Sequence, residues 1–481
     1  MVAQTVIKNH KELISHGYRE DREPVLSMLE AGLKASDPLN NLRGMMRLEG
    51  KTLIIDPNLV EIDPSKKGKL EKREFHLSDY KNIYAIGVGK AAQRMAKGVE
   101  EVLGERITEG QVNFKEGEEE YLEIIDSNPS GHPRANENSV KGAKRIMEIA
   151  RKAGKNDLVF YFFSGGHSAT GMLPPSGDNV NITLDDLLAV QDMLYFEKGA
   201  PIWDLNAWRN VVSGIKAGRL EREIKDSTVI RFITNEKWPP GRIGRVHTGG
   251  DSYDMAINTL KKYELWDRCP KCITDFLEEA DPVLGPVPVN EVREITDRWY
   301  KVSAMRNEYM LQASIQKARE LGIETCLFCS SLTGEAKTVS EVMSRAILEI
   351  RYDKRPFKPP FAYIIGGEIT VEVGKATGIG GRNQEFALSS AKIIREPRNK
   401  REKNVVIASV DSDGTDGPTE DAGGIVDGYT MDRIEELKIN FDSELRNHNS
   451  NYVLGEIGDV IHMGVRGTNV QDLRIVYIFD K

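Results

Sequence analysis

A chain of 481 residues is too long for one ordinary core and points to about two large domains. Hydrophobic residues make up 40% and charged residues 29%, a globular composition, and the net charge of −8 argues against a nucleic-acid partner while leaving room for a local basic pocket that takes a small anion. No apolar run approaches the ~18 residues of a membrane span, and the first twenty residues carry no signal-peptide core, so no membrane partner and a cytoplasmic location are expected.

Residues 20–50 place apolar side chains at three-to-four spacing, interrupted at Pro38, and predict helices. Strands then alternate with helical stretches. "NIYAIGVG" leads into the helix "KAAQRMAKGVEEVLG". "EYLEIIDS" leads through "NPSGHPRANE" into "NSVKGAKRIMEIARKAG". "DLVFYFFSGGHS" leads to "LDDLLAVQDMLYFEKG", and "STVIRFITNE" follows. This alternation predicts a parallel sheet covered by helices on both faces, an α/β, Rossmann-like, three-layer domain over residues 1–285. The proline-rich stretch 277–292, "LEEADPVLGPVPVNEV", reads as the link to a second domain, 286–481. There a long helix is expected around 295–321, then the strand "IETCLFCSSL" and the helix "KTVSEVMSRAILEIRY". "FAYIIGGEITVEVG" reads as a hairpin, "GRNQEFALSSAKIIR" as a helix, and "NVVIASVD" and "DLRIVYIF" as strands. The second domain is therefore also α/β, with a mixed sheet.

Four strands end in glycine-rich polar loops, "GVGKA", "FSGGHSAT", "IGGEI" with "GIGGRNQE", and "DSDGTDGPTED". In open α/β sheets ligands bind beyond the carboxyl ends of strands, and glycine loops before helices suit phosphates. Gly87, Gly89 and Ala92 fit the dinucleotide fingerprint, but its acidic partner about 20 positions on is missing, since position 110 is glycine. The loop is not a Walker A motif either. Lys90, at the first helical turn, opposes the helix dipole unless an anion compensates. Ser164, Gly165, Gly166 and Ser168 read as a phosphate or carboxylate cradle that His167 can join. The near match to a nucleophile elbow fails at Thr170. Asp411, Asp413, Asp416 and Asp421 suit Mg²⁺ or a general base, or else an Asp/Gly turn. Arg382 offers a planar fork for phosphate or carboxylate, or a surface salt bridge, with Asn383 and Glu385 beside it. The cysteines form two C-x-x-C pairs, Cys269/Cys272 and Cys326/Cys329, which spell a zinc site or else a disulfide. Buried free thiols are the plainer reading, because "CLFC" lies in a strand that points its two cysteines to opposite faces.

At these residues the chain resembles the glycerate 2-kinases of the MOFRL type, over nearly its whole length. "KASDPLNNL", "AIGVGKAAQRMA", "SGHPRANENSVKGAKRI", "FFSGGHSAT", "GAPIWDLNAWRNVVSGIKAGRL", "SLTGEAK", "GGEITVEVGKATGIGGRNQEFALSSA", "DGTDGPTEDAGGIVDG" and "GVRGTNVQDL" match its segments in order. The resemblance implies ATP- and Mg²⁺-dependent phosphorylation of D-glycerate to 2-phosphoglycerate, with the family's catalytic lysine and arginine at Lys90 and Arg382. Sequences of this kind have also carried the label hydroxypyruvate reductase. The chain departs from the family at His167, where a third glycine is usual, at Asn235, and at 248–251, where "TGGD" replaces an S-G-P-T loop. It also departs at Asn210 and Val211, while Arg209 and Lys216 persist.

The expected site lies between the domains, with nucleotide and hydroxy acid as small-molecule partners. Lys90 and Arg382 are expected to neutralise the γ-phosphoryl group, Asp413 to hold the metal and Asp416 to accept the hydroxyl proton. Gly87, Gly89, Ser164, Gly165, Gly166 and Ser168 would cradle phosphate, and Arg209, Asn383 and Glu385 would contact the acceptor. A homodimer is compatible with this scheme. The alternatives are a kinase for erythronate or threonate, an NAD(P)-dependent hydroxypyruvate reductase, and a catalytically silent family member.

Overall fold

The computed structural model describes residues 5–63, 65–178, 180–235, 252–395 and 404–480, with only the backbone of Asn235. Residues 46–76 form a small antiparallel sheet of β1 (Met46–Glu49), β2 (Thr52–Ile55) and β3 (Arg73–His76), which the sequence patterns did not single out.

The first large sheet contains β4 (Asn82–Val88), β5 (Glu109–Lys115), β6 (Asp126–Ser130), β7 (Asp157–Phe163), β8 (Thr228–Asn235) and β9 (Tyr300–Arg306). Its order is β6-β5-β4-β7-β8-β9 and every pairing is parallel. β4 and β7 are buried almost throughout, as strands covered on both faces must be, so they read as unbroken apolar runs. From β4 the sheet is wound outward in both directions, through β5 and β6 on one side and β7 to β9 on the other. The switch point therefore falls between β4 and β7, which is where open α/β sheets take a ligand, beside Gly89 and Ser164 as they leave the sheet.

The helix expected around 295–321 is broken. Helix Val289–Thr296 gives way to β9, and helix Asn307–Glu320 follows. β9 pairs with β8, so the first sheet continues beyond the 285/286 division expected from the proline-rich stretch.

The second large sheet has the order β10-β11-β15-β12-β13-β14. Its strands are β10 (Glu324–Leu332), β11 (Phe361–Gly367), β12 (Val405–Asp411), β13 (Gly423–Asp427), β14 (Val460–Ile461) and β15 (Asp472–Ile478). The β10/β11 pair is parallel and the others antiparallel. The hairpin expected in "FAYIIGGEITVEVG" does not form. Both edges of β11 are occupied, by β10 and β15, and the chain beyond Gly367 keeps only an isolated bridge at Thr370. The N-terminal helix Arg19–Ala35 packs against this second half: Ser314 Oγ donates to Met28 O at 3.0 Å. One apolar cluster runs from Phe160 and Phe162 through Met310 and Leu311 to Ile364 and Leu473, so the two sheets share a core.

β11 and β12 both flank β15, and their last residues fall in register with its first: Gly367 and Asp411 each align with Asp472. The ends of three strands thus converge beside the start of helix Arg382–Arg395.

Candidate active site

Gly89 has φ +120°, and a Cβ there would lie 2.3 Å from Ser164 Oγ and 2.6 Å from Ser164 O. Only glycine lets the β4 and β7 loops lie this close. They are stitched together by Lys90 N donating to Gly165 O at 2.9 Å and Ala91 N donating to Ser164 Oγ at 3.0 Å. Gly87 lies inside β4, aligned with Phe162, so it serves sheet packing instead of the expected phosphate contact. Ser168 Oγ accepts from Lys216 Nζ at 2.8 Å, which brings the "SGIKAG" stretch to the same cradle. His167 folds back, with Nδ1 3.2 Å from Ser164 O.

The Lys90 ammonium crosses to the second half of the molecule, 2.5 Å from Asp413 Oδ2. Asp413 N donates to Asp411 Oδ1 at 3.1 Å, and Arg382 Nη2 donates to Asp411 Oδ2 at 2.6 Å. Arg382 also forks onto Asp472, at 2.8–3.1 Å, and stands 3.2 Å from Glu368. Lys90 and Arg382, 292 positions apart, therefore share one carboxylate run. These carboxylates raise the pKa of both cations against the opposing effect of burial. Lys90 and Lys115 hold Asp413 well below the usual carboxylate range. Burial and the charge of Asp413 push Asp411 well above it.

Three expected site residues have other occupations. Asp416 is fully buried and accepts from Gln384 N at 2.8 Å and Asn383 N at 3.2 Å, capping helix Arg382–Arg395, with burial pushing its pKa up to about 6. That leaves the expected proton acceptor spent on a helix N-terminus. Asn383 accepts from Ser409 Oγ at 2.5 Å and Arg474 Nη2 at 3.2 Å inside the second domain. Glu385 is buried against His448, 2.7 Å away, and Lys337. Asp416→Ala is accordingly expected to lower unfolding free energy by about 1–2 kcal/mol, as a lost cap does, while cutting turnover far less than loss of Lys90. Parallel chemical denaturation and rate measurements check this.

Arg209 ends helix Ile202–Arg209. Its Nε makes no hydrogen bond among the described residues, and burial drives its pKa down to about 10. Sequence reasoning missed Lys115, whose Nζ donates to Thr415 Oγ1 at 3.1 Å, and Asp472. It also quoted His132 without assigning it a task. All three are single residues in ordinary strands or loops, and sheet order alone brings them to the site.

The four cysteines are free thiols. Cys269 and Cys272 pack on the core of the first domain and Cys326 on that of the second. Of the departures from the family, Asn210 and Val211 are buried scaffold; the carbonyl of each accepts from Arg219. The side chain of Asn235 and residues 248–251 lie outside the described residues. Among the described residues no three His, Cys, Asp or Glu side chains form a ready-made metal cage, and no helix is long and apolar enough to cross a membrane.

Comparison with known proteins places this geometry. Residues 25–278 match a domain of unknown function, DUF4147, and residues 361–472 match the MOFRL family. The chain is 31% identical to a glycerate 2-kinase of Pyrococcus horikoshii, covering 96% of this chain and 98% of the relative. It is 30% identical to a D-glycerate 2-kinase of Thermotoga maritima, covering 82% and 90%. A crystal structure of glycerate kinase from Thermotoga maritima superimposes with a TM-score of 0.73 at 26% identity, covering 95% of this chain and 99% of that one. With its DUF4147 match followed by its MOFRL match, the chain belongs to the glycerate 2-kinase family.

Proposed function

We propose that this protein transfers the γ-phosphoryl group of ATP to the 2-hydroxyl of D-glycerate, giving 2-phosphoglycerate. One observation carries the proposal: Lys90, at the switch point of one sheet, and Arg382, at the strand ends of the other, meet on the same carboxylate run. Phosphoryl transfer depends on positioning and on neutralising charge at the moving group, with little covalent work for the protein. Two cations held by opposing sheets supply both. The Gly89 loop spends its backbone N–H groups on holding the Ser164–Ser168 cradle in place, and that cradle brings the Ser164 and Ser168 hydroxyls to the same crevice for phosphate oxygens.

The donor set fits Mg²⁺ carried in with the nucleotide, since that ion is usually held by one or two carboxylates plus phosphate oxygens. Asp411, at the end of β12 between Asp413 and Arg382, is the carboxylate that would hold it, with Glu368 beside Arg382. When bound, the ion would neutralise charge between the β- and γ-phosphates.

The carboxylate of glycerate is assigned to Arg209, a buried guanidinium with an open donor, and to the Lys216–Ser168 pair. A charge-assisted pair of this kind contributes about 1.5–3 kcal/mol. Arg209→Ala is therefore expected to raise KM for glycerate roughly 10- to 100-fold and leave KM for ATP unchanged, and Arg209→Lys to restore it only in part. Equal effects on the two constants in steady-state kinetics would remove Arg209 from the acceptor site.

The function is tested by incubating the protein with Mg-ATP and D-glycerate, L-glycerate, erythronate or threonate and following phosphorus NMR. A 2-phosphoglycerate signal from D-glycerate alone is the expected result. A phosphomonoester only from the four-carbon acids would reassign the acceptor, and none from any acid would overturn the kinase proposal.

A further inference from the structure

Among the described residues Asp416 caps a helix, Asp413 sits on Lys90, and Asp411 and Asp472 sit on Arg382. His132 stands differently. It follows β6, so it leaves the first sheet at the same carboxyl edge as Lys90 after β4, Lys115 at the end of β5 and Ser164 after β7. Its ring lies over Gly166 against the Lys90 side chain: a Cβ on Gly166 would sit 3.0 Å from Lys90 Cγ and 3.2 Å from His132 Nε2. The ring is half-buried, and neither of its nitrogens makes a hydrogen bond among the described residues. Among the described residues it is the imidazole at the crevice whose polar atoms make no hydrogen bond, while His167 is turned onto Ser164 O.

We propose that His132 is the proton acceptor of the transfer, taking the hydrogen from the acceptor hydroxyl. The inference rests on the kinase function proposed above. The hydroxyl O–H bond breaks and its proton goes to an imidazole nitrogen, while the freed electron pair forms the bond to Pγ. The Pγ–O bond to the β-phosphate breaks, and its electron pair leaves on ADP. The imidazolium then faces the new phosphomonoester and loses its proton to solvent after release.

Among the described residues the charged groups acting most strongly on the ring are Lys90, Lys115, Asp413 and Arg209. Burial and the three cations depress the pKa of the imidazole to about 3, so before substrates arrive it is neutral across the working pH range with a lone pair available. ATP and a hydroxy acid bring negative charge onto those same cations. That offsets their field and raises the basicity of the ring when a base is needed.

The test is the kcat–pH profile of wild type and of His132→Ala and His132→Gln, with and without added imidazoles of graded pKa. His132→Ala is expected to lower kcat about 10²- to 10⁴-fold, with KM for ATP and for D-glycerate within about threefold. The acidic limb of the wild-type profile should vanish in both variants. Added imidazole should restore turnover in His132→Ala, more strongly as its pKa rises. A merely structural role would move neither the limb nor the rescue. Turnover within threefold of wild type in either folded variant overturns the proposal, as does loss in both without imidazole rescue. The wild-type reaction is the internal control: absence of 2-phosphoglycerate there defeats the kinase function itself, and is distinguished from a variant-specific result.

Discussion

Lys90→Met is expected to reduce kcat by a factor of about 10³ or more while the chain still folds, a loss of the size seen when a charge-stabilising group is removed from a phosphoryl-transfer site. The reason lies in the division of charge across the crevice. Lys90 is the first sheet's contribution to a cluster whose other strong cation, Arg382, belongs to the second. Removing it leaves the moving phosphoryl group with neutralisation from one side only. It also leaves Asp413 buried beside Asp411 with its closest ion-pair partner gone, offset by Lys115 and the buried Arg466. Breaking a buried pair by removing one partner costs about 3–5 kcal/mol, so the variant should also unfold at lower denaturant. The two losses separate in the double variant Lys90→Met/Asp413→Asn. There the stranded charge is gone, and stability should return towards wild type while turnover stays low. A single variant within about tenfold of wild-type kcat, measured at saturating Mg-ATP and glycerate, would take Lys90 out of the chemistry.

The residues that carried most information in the sequence were those whose local chemistry was at odds with their surroundings. A lysine at a helix start after a glycine loop opposes the dipole and so announces an anion; the structure supplies Asp413 as that anion. β4 and β7 were legible because burial on both faces makes "YAIGV" and "LVFYFF" continuous apolar runs, whereas β5 was not singled out and the strand expected at 120–127 begins only at Asp126. β9 was not. "YKVSAMR" sits between two helical patterns, and it becomes a strand only because β8 offers it an open edge, which is a long-range fact. The hairpin expected after Phe361 failed for the converse reason: its partner positions were already taken by β10 and β15. Asp472, Lys115 and His132 could not be singled out locally, since no neighbouring residue marks any of them. They become a site when strand order sets their ends side by side. Asp416 misled because a carboxylate after a strand looks the same in sequence whether it faces a ligand or a helix N-terminus.

Arg22→Ala is expected to be among the most destabilising single substitutions in the molecule, at a cost of about 3–5 kcal/mol near neutral pH. Arg22 is fully buried on the N-terminal helix and reaches into the second sheet. Its Nε donates to Asp427 Oδ2 at 2.7 Å, its Nη1 to Asp459 Oδ1 at 2.7 Å and to Leu13 O at 3.0 Å. Asp459 also accepts from Arg433, while His16 Nε2 lies 2.8 Å from it. Asp427 takes Tyr18 N at 3.0 Å. The network thus ties the first part of the chain to β13 and to the segment before β14. Without Arg22, Asp427 is left as a buried carboxylate with no ion-pair partner among the described residues, and Asp459 keeps Arg433 and His16. The pH dependence follows from the sign of the shift. Arg22, the His16 hydrogen bond and Arg433 hold Asp459 below its ordinary pKa. This carboxylate therefore contributes stability above its unfolded value of about 4, and that contribution fades as pH falls towards the depressed folded value. The difference between wild type and Arg22→Ala should be largest at pH 7 and shrink below about pH 4. Denaturation midpoints at the two pH values check the size and the sign. Limited proteolysis checks the place, because the first cuts in the variant should fall within the N-terminal 35 residues. A difference that grows on acidification, or first cuts in the second domain, would show that the network does not anchor the N-terminal helix as these contacts require.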